Sequence, residues 1–196
     1  MSHDDRPAGL YEACRQLSPV HPDHTSRPIE EGFNWSSCLA AVTFDRLYLV
    51  VFRSVRRATA DLGLLREHDD RAYEEALRAG GLLRYFKGEA NERRECVSFC
   101  LWESREQARR ASNGDSHKEA TGIVAETYES YTLERYELIK VGGAKRSLVF
   151  RPLEEVSPRQ GAGARALRPA PIPPAMLGAG QRDGLIHRRR LPQAPR

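Results

Sequence analysis

The sequence predicts an α+β domain in which one antiparallel sheet carries two helices. Three observations lead to this class. Apolar segments of strand length and two helical segments follow one another in the order β-α-β-β-α-β over residues 47–141. Three of these strands are apolar on both alternating faces. The chain has 196 residues, of which 40% are hydrophobic, which suits one domain of ordinary size with extensions.

The first strand is predicted at 47–54 (LYLVVFRS), where side chains on both alternating faces are apolar. A helix is predicted at 60–81, because Asp61 is a suitable N-cap residue and two glycines at its end stop the helix. A strand and a helix at this spacing are the first half of a split β-α-β unit.

A hairpin follows, with strands near 82–88 and 95–102 and a charged turn between them. Ser104 begins a capping box, which predicts the start of the second helix. The sequence NGD at 113–115 interrupts that helix, which resumes and runs to about Tyr128. The last strand is predicted at 131–141, so the complete order is ferredoxin-like.

The two-sided apolar strands also predict how the sheet is covered. In a ferredoxin-like fold the helices cover one face of the sheet, and a face exposed to water should alternate between apolar and polar residues. Val97, Phe99 and Leu101 lie on one side of the third strand, and Cys100 and Trp102 lie on the other. We therefore expect the same face of a second subunit to cover the open side, which gives a homodimer of the dimeric α+β barrel type.

The two ends of the chain differ from the domain in amino-acid composition. Residues 1–26 are polar and predict a flexible region, whereas 27–46 contains Phe33 and Trp35 and should dock on the domain. Residues 142–196 predict a disordered tail rich in proline, glycine and arginine. From Gly143 onwards there are 11 Lys and Arg against 3 Asp and Glu, a net +8, so the preceding 142 residues carry −4 of the total +4. A mildly acidic domain argues against nucleic acid as its partner.

Composition and the spacing of the cysteines argue against several other classes of protein. No apolar run is long enough for a signal peptide or a membrane span, so no membrane partner is expected. Cys96 and Cys100 lie four residues apart on a strand, about 13 Å between Cα atoms, which exceeds the ~7 Å limit of a disulfide. We expect a cytoplasmic, reduced protein. No metal-binding spacing, phosphate loop or nucleophile elbow is present, and no cofactor is predicted.

Asp69 and His117 are the candidate catalytic residues. Asp69 falls inside an apolar stripe of the first helix, where a carboxylate either finds a partner or acts as a base or ligand anchor. His117 lies in the first turn of the resumed second helix, where the helix dipole favours neutral imidazole, which can act as a base. Each also has a structural interpretation: Asp69 as an ion-pair or capping partner, and His117 as a helix-end residue packed on the sheet. If both helices cover the same face, a His–Asp pair can form there.

Several side chains are candidates for ligand binding. Each has a structural alternative, since an arginine can pair with a nearby acid and aromatic rings can belong to the core or to a dimer interface. The candidates are Arg53, Tyr73, Tyr85, Trp102 and Trp35.

Short motifs over residues 28–139 resemble a family of small, mainly fungal proteins assigned to the dimeric α+β barrel superfamily. They are EGFNW, VFRS, AYEEA, GGLLRYFKG, CLWESREQA and SHKEA. The resemblance implies a ferredoxin-like fold related to antibiotic-biosynthesis-type monooxygenases, and no established reaction. Tyr73 stands where relatives have a His before EEA, which argues against a His-based mechanism at that position.

Three functions remain open from the sequence. The first is a cofactor-independent enzyme of the monooxygenase or isomerase type, acting on a small aromatic or polyketide-like molecule. The second is a ligand-binding or stress-response protein without catalysis. The third is an interaction module whose basic tail recruits an acidic partner. A cleft of several hundred Å³ with Asp69 and His117 on its wall would favour the first, and a cleft filled by Tyr73 and Trp35 would favour the second.

Overall fold

A computed structural model describes residues 8–142 and 147–153 of the chain. Within these residues the chain forms seven helices and five strands. They are α1 (Ala8–Arg15), α2 (Ile29–Gly32), α3 (Trp35–Leu39), β1 (Arg46–Arg56), α4 (Leu62–Ala79), β2 (Leu82–Phe86), β3 (Glu95–Trp102), α5 (Arg105–Ser112), α6 (Asp115–Gly122), α7 (Val124–Thr127), β4 (Tyr128–Val141) and β5 (Ser147–Pro152).

The five strands form one antiparallel sheet in the order β2-β3-β1-β4-β5. The first four strands have the ferredoxin-like order, which confirms the predicted fold class. β1 is central, with Tyr48 opposite Trp102 of β3 and Val50 opposite Arg135 of β4. The fifth strand extends the sheet beyond β4.

The helix boundaries follow the capping residues that the sequence contains. The Asp61 carboxylate accepts hydrogen bonds from the backbone N–H groups of Gly63 and Leu64 at 2.9 and 3.0 Å, as an N-cap should. The Ser104 hydroxyl accepts a hydrogen bond from the Gln107 N–H at 3.3 Å. The Gln107 side chain donates instead to Glu103 at 3.0 Å, so only one half of the predicted capping box forms.

Helices α4 and α5 and the sheet share a small apolar cluster. Its buried members are Tyr48, Ala76, Leu82, Trp102, Ala108 and Ala111. Because three of these six residues are alanines, the helices approach the sheet closely at this end and leave space elsewhere between the layers.

The opposite face of the sheet is covered by the chain's own N-terminal segment, residues 8–44. Trp35 and Phe33 pack on Phe99 of β3 with ring centroids 5.1 Å apart in each pair. Twelve described residues of strands β1 to β5 contribute to this core with the segment; they are Leu47, Leu49, Val51, Leu83, Phe86, Val97, Phe99, Leu101, Tyr136, Leu138, Leu148 and Phe150. The docking of the segment that contains Phe33 and Trp35 follows from these contacts.

This packing removes the physical basis on which a homodimer was expected. The sequence shows rightly that both faces of the sheet must be covered, but α1, α2 and α3 of the same chain occupy the face that a second subunit was expected to take. The apolar requirement is therefore met within one chain. The homodimer itself stays a prediction, without the uncovered sheet face on which it was based.

Both predicted ends also need correction where the structure describes them. Residues 8–15 form α1, whose Leu10 and Cys14 are buried, so the region 1–26 is not flexible throughout. Ser147–Pro152 forms β5 inside the predicted tail, and its Phe150 packs on Trp35 at 5.3 Å. Residues 154–196, which hold most of the predicted tail, lie outside the described residues. Among the helices described, none combines the length and the apolar character that crossing a bilayer requires.

Candidate functional site

A cavity of about 690 Å³ lies between the sheet and helices α4, α5 and α6. Its floor is formed by the alternate side chains of β1 that do not face the N-terminal segment, including Tyr48, Val50 and Phe52. Small-molecule sites commonly have volumes of about 300–1,000 Å³. The cavity is therefore large enough for a ligand of two or three rings.

Aromatic side chains form much of the cavity wall. They come from four strands and one helix, and they are Tyr48, Phe52, Tyr73, Tyr85, Trp102, Tyr128 and Tyr131. Tyr73 and Tyr85 lie with ring centroids 5.5 Å apart, and Tyr128 and Tyr131 lie 5.2 Å apart. Rings supply large apolar area with few rotatable bonds, so the wall is suited to a planar ligand.

Asp69 lies on this wall and has two partners. The Tyr85 hydroxyl donates a hydrogen bond to Asp69 Oδ1 at 2.5 Å, and Lys87 Nζ lies 2.5 Å from Oδ2 as an ion pair. Lys87 also lies 3.3 Å from the Asp70 carboxylate. The Asp69 side chain is 25% exposed, so the apolar stripe of α4 carries a paired carboxylate at the edge of the cavity.

The surroundings of Tyr85 and Lys87 keep both side chains protonated. Burial, together with the charge and hydrogen bond of Asp69, raises the pKa of Tyr85 above its ordinary value, so Tyr85 remains a hydrogen-bond donor. Partial burial acts to lower the pKa of Lys87, but the interactions with Asp69 and Asp70 outweigh it and raise that pKa. Lys87 therefore stays a cation.

His117 lies on the same wall, and Glu75 of α4 holds it. His117 Nδ1 lies 2.8 Å from Glu75 Oε2, and the backbone N–H groups of Ser116 and His117 also donate to the Glu75 carboxylate. The hydrogen bond from His117, reinforced by these N–H groups, lowers the pKa of Glu75. An ionised Glu75 at Nδ1 favours the tautomer that carries its proton there and leaves Nε2 as an acceptor.

The structure thus brings both candidate catalytic residues to one cavity but does not pair them. The partner of His117 is Glu75, and the partners of Asp69 are Tyr85 and Lys87. The expected His–Asp pair is wrong because Glu75 lies closer to the start of α6, where two backbone N–H groups also bind it.

Two of the ligand-binding candidates lie on the other face of the sheet. The Arg53 guanidinium pairs with Glu134 at 2.5 Å and donates to the carbonyls of Thr25 and Arg27. Trp35 is 1% exposed, and its indole N–H donates to the Ile29 carbonyl at 2.7 Å. Both side chains fasten the N-terminal segment to the sheet. The other three candidates, Tyr73, Tyr85 and Trp102, line the cavity.

Sequence reasoning missed the basic residues of the wall. Arg56, Lys87, Arg105, Arg109 and Arg135 line the cavity, as does His68, whose Nδ1 is buried without a hydrogen-bond partner. The available signal was the spacing of Arg105 and Arg109, which lie four residues apart on one helix and therefore share a face of it.

Comparisons with known proteins bear on the family. A family model described as PB2B2.08-like matches residues 1–151. UPF0643 protein PB2B2.08 of Schizosaccharomyces pombe is 32% identical over 112 residues, which are 54% of this chain and 50% of that protein. The chain therefore spans about half the length of the curated relative it matches. Both matches confirm the resemblance drawn from the motifs.

Solved structures with a similar fold include a protein of Shewanella oneidensis, at 14% identity and a TM-score of 0.42 over 48% of this chain and 92% of that one. Another is SnoaB, a cofactor-independent oxygenase from Streptomyces nogalater, at 15% identity and a TM-score of 0.38 over 52% of this chain and 98% of that one. At these identities and TM-scores, neither structure carries an activity over to this chain.

Proposed function

The chain belongs to the PB2B2.08-like family, and from that premise we propose that its domain binds a small, largely aromatic molecule between the helices and the sheet. The observation that carries the proposal is the cavity of about 690 Å³ whose wall combines aromatic rings with the paired Asp69, Tyr85 and Lys87. A polyketide-like compound of two or three fused rings fits this description.

The sequence leaves two alternative arrangements of the cleft open, and the observed one supports the same proposal. A cleft filled by Tyr73 and Trp35 would have argued for a non-catalytic protein. Trp35 lies on the opposite face of the sheet, and Tyr73 lies on the wall of an open cavity. Asp69 and His117 both line that cavity.

Binding is tested with N-phenylnaphthylamine, an uncharged aromatic probe whose fluorescence rises in an apolar site. We expect saturable binding to the intact protein and a loss of at least tenfold in affinity for Ala120→Trp, which fills the cavity from α6. Lys118→Trp is the matched control, since that side chain is 65% exposed and lies off the wall. Equal binding by both variants would overturn the proposal.

A second candidate function is catalysis, and the geometry of His117 favours it. Because Glu75 occupies Nδ1, the free Nε2 of His117 can accept a proton. In this proposal His117 removes a proton from an acidic carbon of an aromatic ketone, and Lys87 stabilises the negative charge that develops on the ketone oxygen. Asp69, which accepts the hydrogen bond of Tyr85, positions Lys87.

The step fits both reaction types that the sequence leaves open. In an isomerase the proton returns to another carbon, and no further reactant is needed. In a cofactor-independent monooxygenase, molecular oxygen is the second substrate: it reacts with the carbanion, and a CH₂ group becomes a C=O group with release of water.

Proton abstraction is tested in heavy water with aryl ketones such as indanone. We expect mass spectrometry to show deuterium incorporation faster than in buffer, and its loss in His117→Asn. His21→Asn is the control, because His21 is exposed and lies away from the cavity. Exchange at the buffer rate would overturn catalysis on these ketones and leave the binding proposal standing.

Two further expectations belong with this proposal. The four cysteines are free thiols, which supports the reducing cytoplasm as the compartment. A homodimer would have to use a surface other than the sheet face that residues 8–44 cover. Sedimentation of the intact chain tests that expectation.

A further inference from the structure

The charges on the cavity wall are unbalanced. Five basic residues line the cavity, while the lining residues that the structure describes include a single carboxylate, Asp69, which Lys87 neutralises. The excess of arginine is local, since residues 1–142 carry a net charge of −4. A cationic wall in an otherwise acidic domain concentrates anions at this one place.

Two of these arginines, Arg105 and Arg109, differ from most others in the domain. They lie one turn apart on α5, and neither guanidinium has an ion pair or a hydrogen bond to any residue that the structure describes. Several arginines elsewhere are paired, as Arg53 is with Glu134 at 2.5 Å. On the β1 side of the cavity, Arg56 Nε is likewise buried without a partner. Unpaired guanidinium groups around a cavity are suited to bind an anion that the protein itself does not supply.

The position of α5 relates these charges to the aromatic wall. Arg105 follows Trp102 by three residues, and Trp102 lies opposite Tyr48 in the sheet. Trp102 and Tyr48 are 3% and 5% exposed, and they pack in one cluster with Ala108 and Ala111 of α5. Both rings and both arginines line the cavity, so a planar ligand that binds beside α5 would bring its edge toward the guanidinium groups.

We propose that Arg105 and Arg109 bind an anionic substituent of the ligand, so that the molecule recognised is an aromatic acid bearing a carboxylate or a similar oxyanion. This inference rests on the proposed function, because it assigns the ligand class of the same cavity. Guanidinium groups suit oxyanions since their N–H groups match two oxygen atoms at once. The aromatic part binds the wall, and the arginines select for charge.

Two probes that share one aromatic scaffold test this selection. Anilinonaphthalene sulfonate carries an anionic group, and N-phenylnaphthylamine has the same rings without it. We expect the intact protein to bind the sulfonate more tightly than the uncharged probe. The double variant Arg105→Gln/Arg109→Gln should lower the affinity for the sulfonate about tenfold and leave the affinity for the uncharged probe unchanged.

A matched control separates local binding from general electrostatics. Arg66→Gln/Arg110→Gln removes the same charge from two exposed positions on α4 and α5 that do not line the cavity. This control should bind both probes as the intact protein does. The inference is overturned if both double variants lower the affinity for the sulfonate equally. It is also overturned if Arg105→Gln/Arg109→Gln lowers the affinity for both probes alike.

The outcomes also distinguish this inference from the proposed function. Binding of the uncharged probe without any preference for the sulfonate overturns only the anion subsite. Failure of both probes to bind the intact protein overturns the ligand cavity and the subsite together. Circular dichroism of each variant verifies that the α+β fold is retained.

Discussion

Glu75 holds one end of the cavity wall together. Its carboxylate accepts hydrogen bonds from His117 Nδ1 and from two backbone N–H groups at the start of α6, and it is 20% exposed. One side chain of α4 therefore fixes both the position of α6 and the orientation of the imidazole. The site depends on this carboxylate as much as on the histidine it orients.

Glu75→Gln should lower stability at neutral pH and flatten its acid dependence. The folded protein lowers the pKa of Glu75 below its ordinary value of 4.5. Its contribution is therefore complete above that value and is lost as pH falls through the lower folded pKa. Urea denaturation over a pH series should show the gap between the two proteins closing on acidification. A gap that stays constant with pH would contradict this role.

Asp69→Asn should destabilise the protein by about 1 kcal/mol. The asparagine oxygen can still accept from Tyr85, but the ion pair with Lys87 is lost. Asp70→Asn is the control, because that side chain is 63% exposed and its effect should be within about 0.5 kcal/mol of zero. Chemical denaturation measures the free energy of unfolding of both variants. Stabilisation by Asp69→Asn would mean that the carboxylate is a strained, poorly paired group.

The sequence predicted which residues face inward better than it predicted their partners. Periodicity placed Asp69 in the apolar stripe of α4, and His117 followed from the break before α6. Glu75 was missed because it lies beside that stripe rather than within it, and its sequence position looks like that of any exposed helix acid. Arg53 was assigned to the site because strand alternation does not say which face the helices cover. Trp35 was assigned to it because the sequence does not say on which face of the sheet its segment docks.

The junction of α5 and α6 is the element on which the geometry of His117 depends. Gly114 is the N-cap of α6, and a Cβ atom there would overlap the Glu75 carboxylate. The chain therefore needs glycine at this point to let Glu75 reach the start of α6. The NGD sequence, predicted as a simple helix break, is also the place where two helices are joined.

Gly114→Ala should displace Glu75 and cost about 1–2 kcal/mol, with the same loss of acid dependence as Glu75→Gln. Gly122→Ala is the matched control, since nothing lies within 4 Å of the added Cβ and alanine favours a helix by up to about 1 kcal/mol. Thermal and chemical denaturation compare the two variants. Equal stability of both would show that Glu75 can move without loss.

Elements with strong periodicity were predicted well, and those defined by tertiary contacts were not. α4 and the hairpin of β2 and β3 were evident from capping, glycine stops and alternation. β5 was missed because its six residues follow glycine and basic residues, and only pairing with β4 identifies it. The helix α1 was missed because its short apolar face is stable only against the sheet.

Across the whole molecule, the N-terminal segment has the role that the sequence assigned to a second subunit. Residues 8–44 bury seven large apolar side chains against the sheet or one another: Leu10, Leu17, Ile29, Phe33, Trp35, Leu39 and Phe44. Burial at ~25 cal/mol per Å² makes this layer worth several kcal/mol. The sequence could predict that a cover exists but not which polypeptide supplies it.

Deleting residues 1–45 should therefore either unfold the domain or make it self-associate through the bare face. A loss on the order of several kcal/mol is a large part of the ~5–15 kcal/mol stability of a typical domain. Denaturation and sedimentation of the deletion variant provide the measurement. A variant that remains monomeric and as stable as the intact chain would contradict the packing described.

Truncation at the C-terminal end tests the contribution of β5 to stability. A chain that ends after Leu153 keeps β5, and a chain that ends after residue 146 loses the strand and the contact of Phe150 with Trp35. We expect the shorter chain to melt several degrees lower than the longer one. Equal melting temperatures would show that β5 adds nothing to the sheet.

The two tryptophans allow the most direct test that the ligand site lies between the helices and the sheet. Trp102 lines the cavity, and Trp35 is buried on the opposite face. Their indole N–H signals in a proton–nitrogen correlation spectrum, assigned with Trp35→Phe, can be followed while anilinonaphthalene sulfonate is added. We predict a saturable shift of the Trp102 signal with little change at Trp35. A shift at Trp35 alone, or at neither residue, would contradict the account.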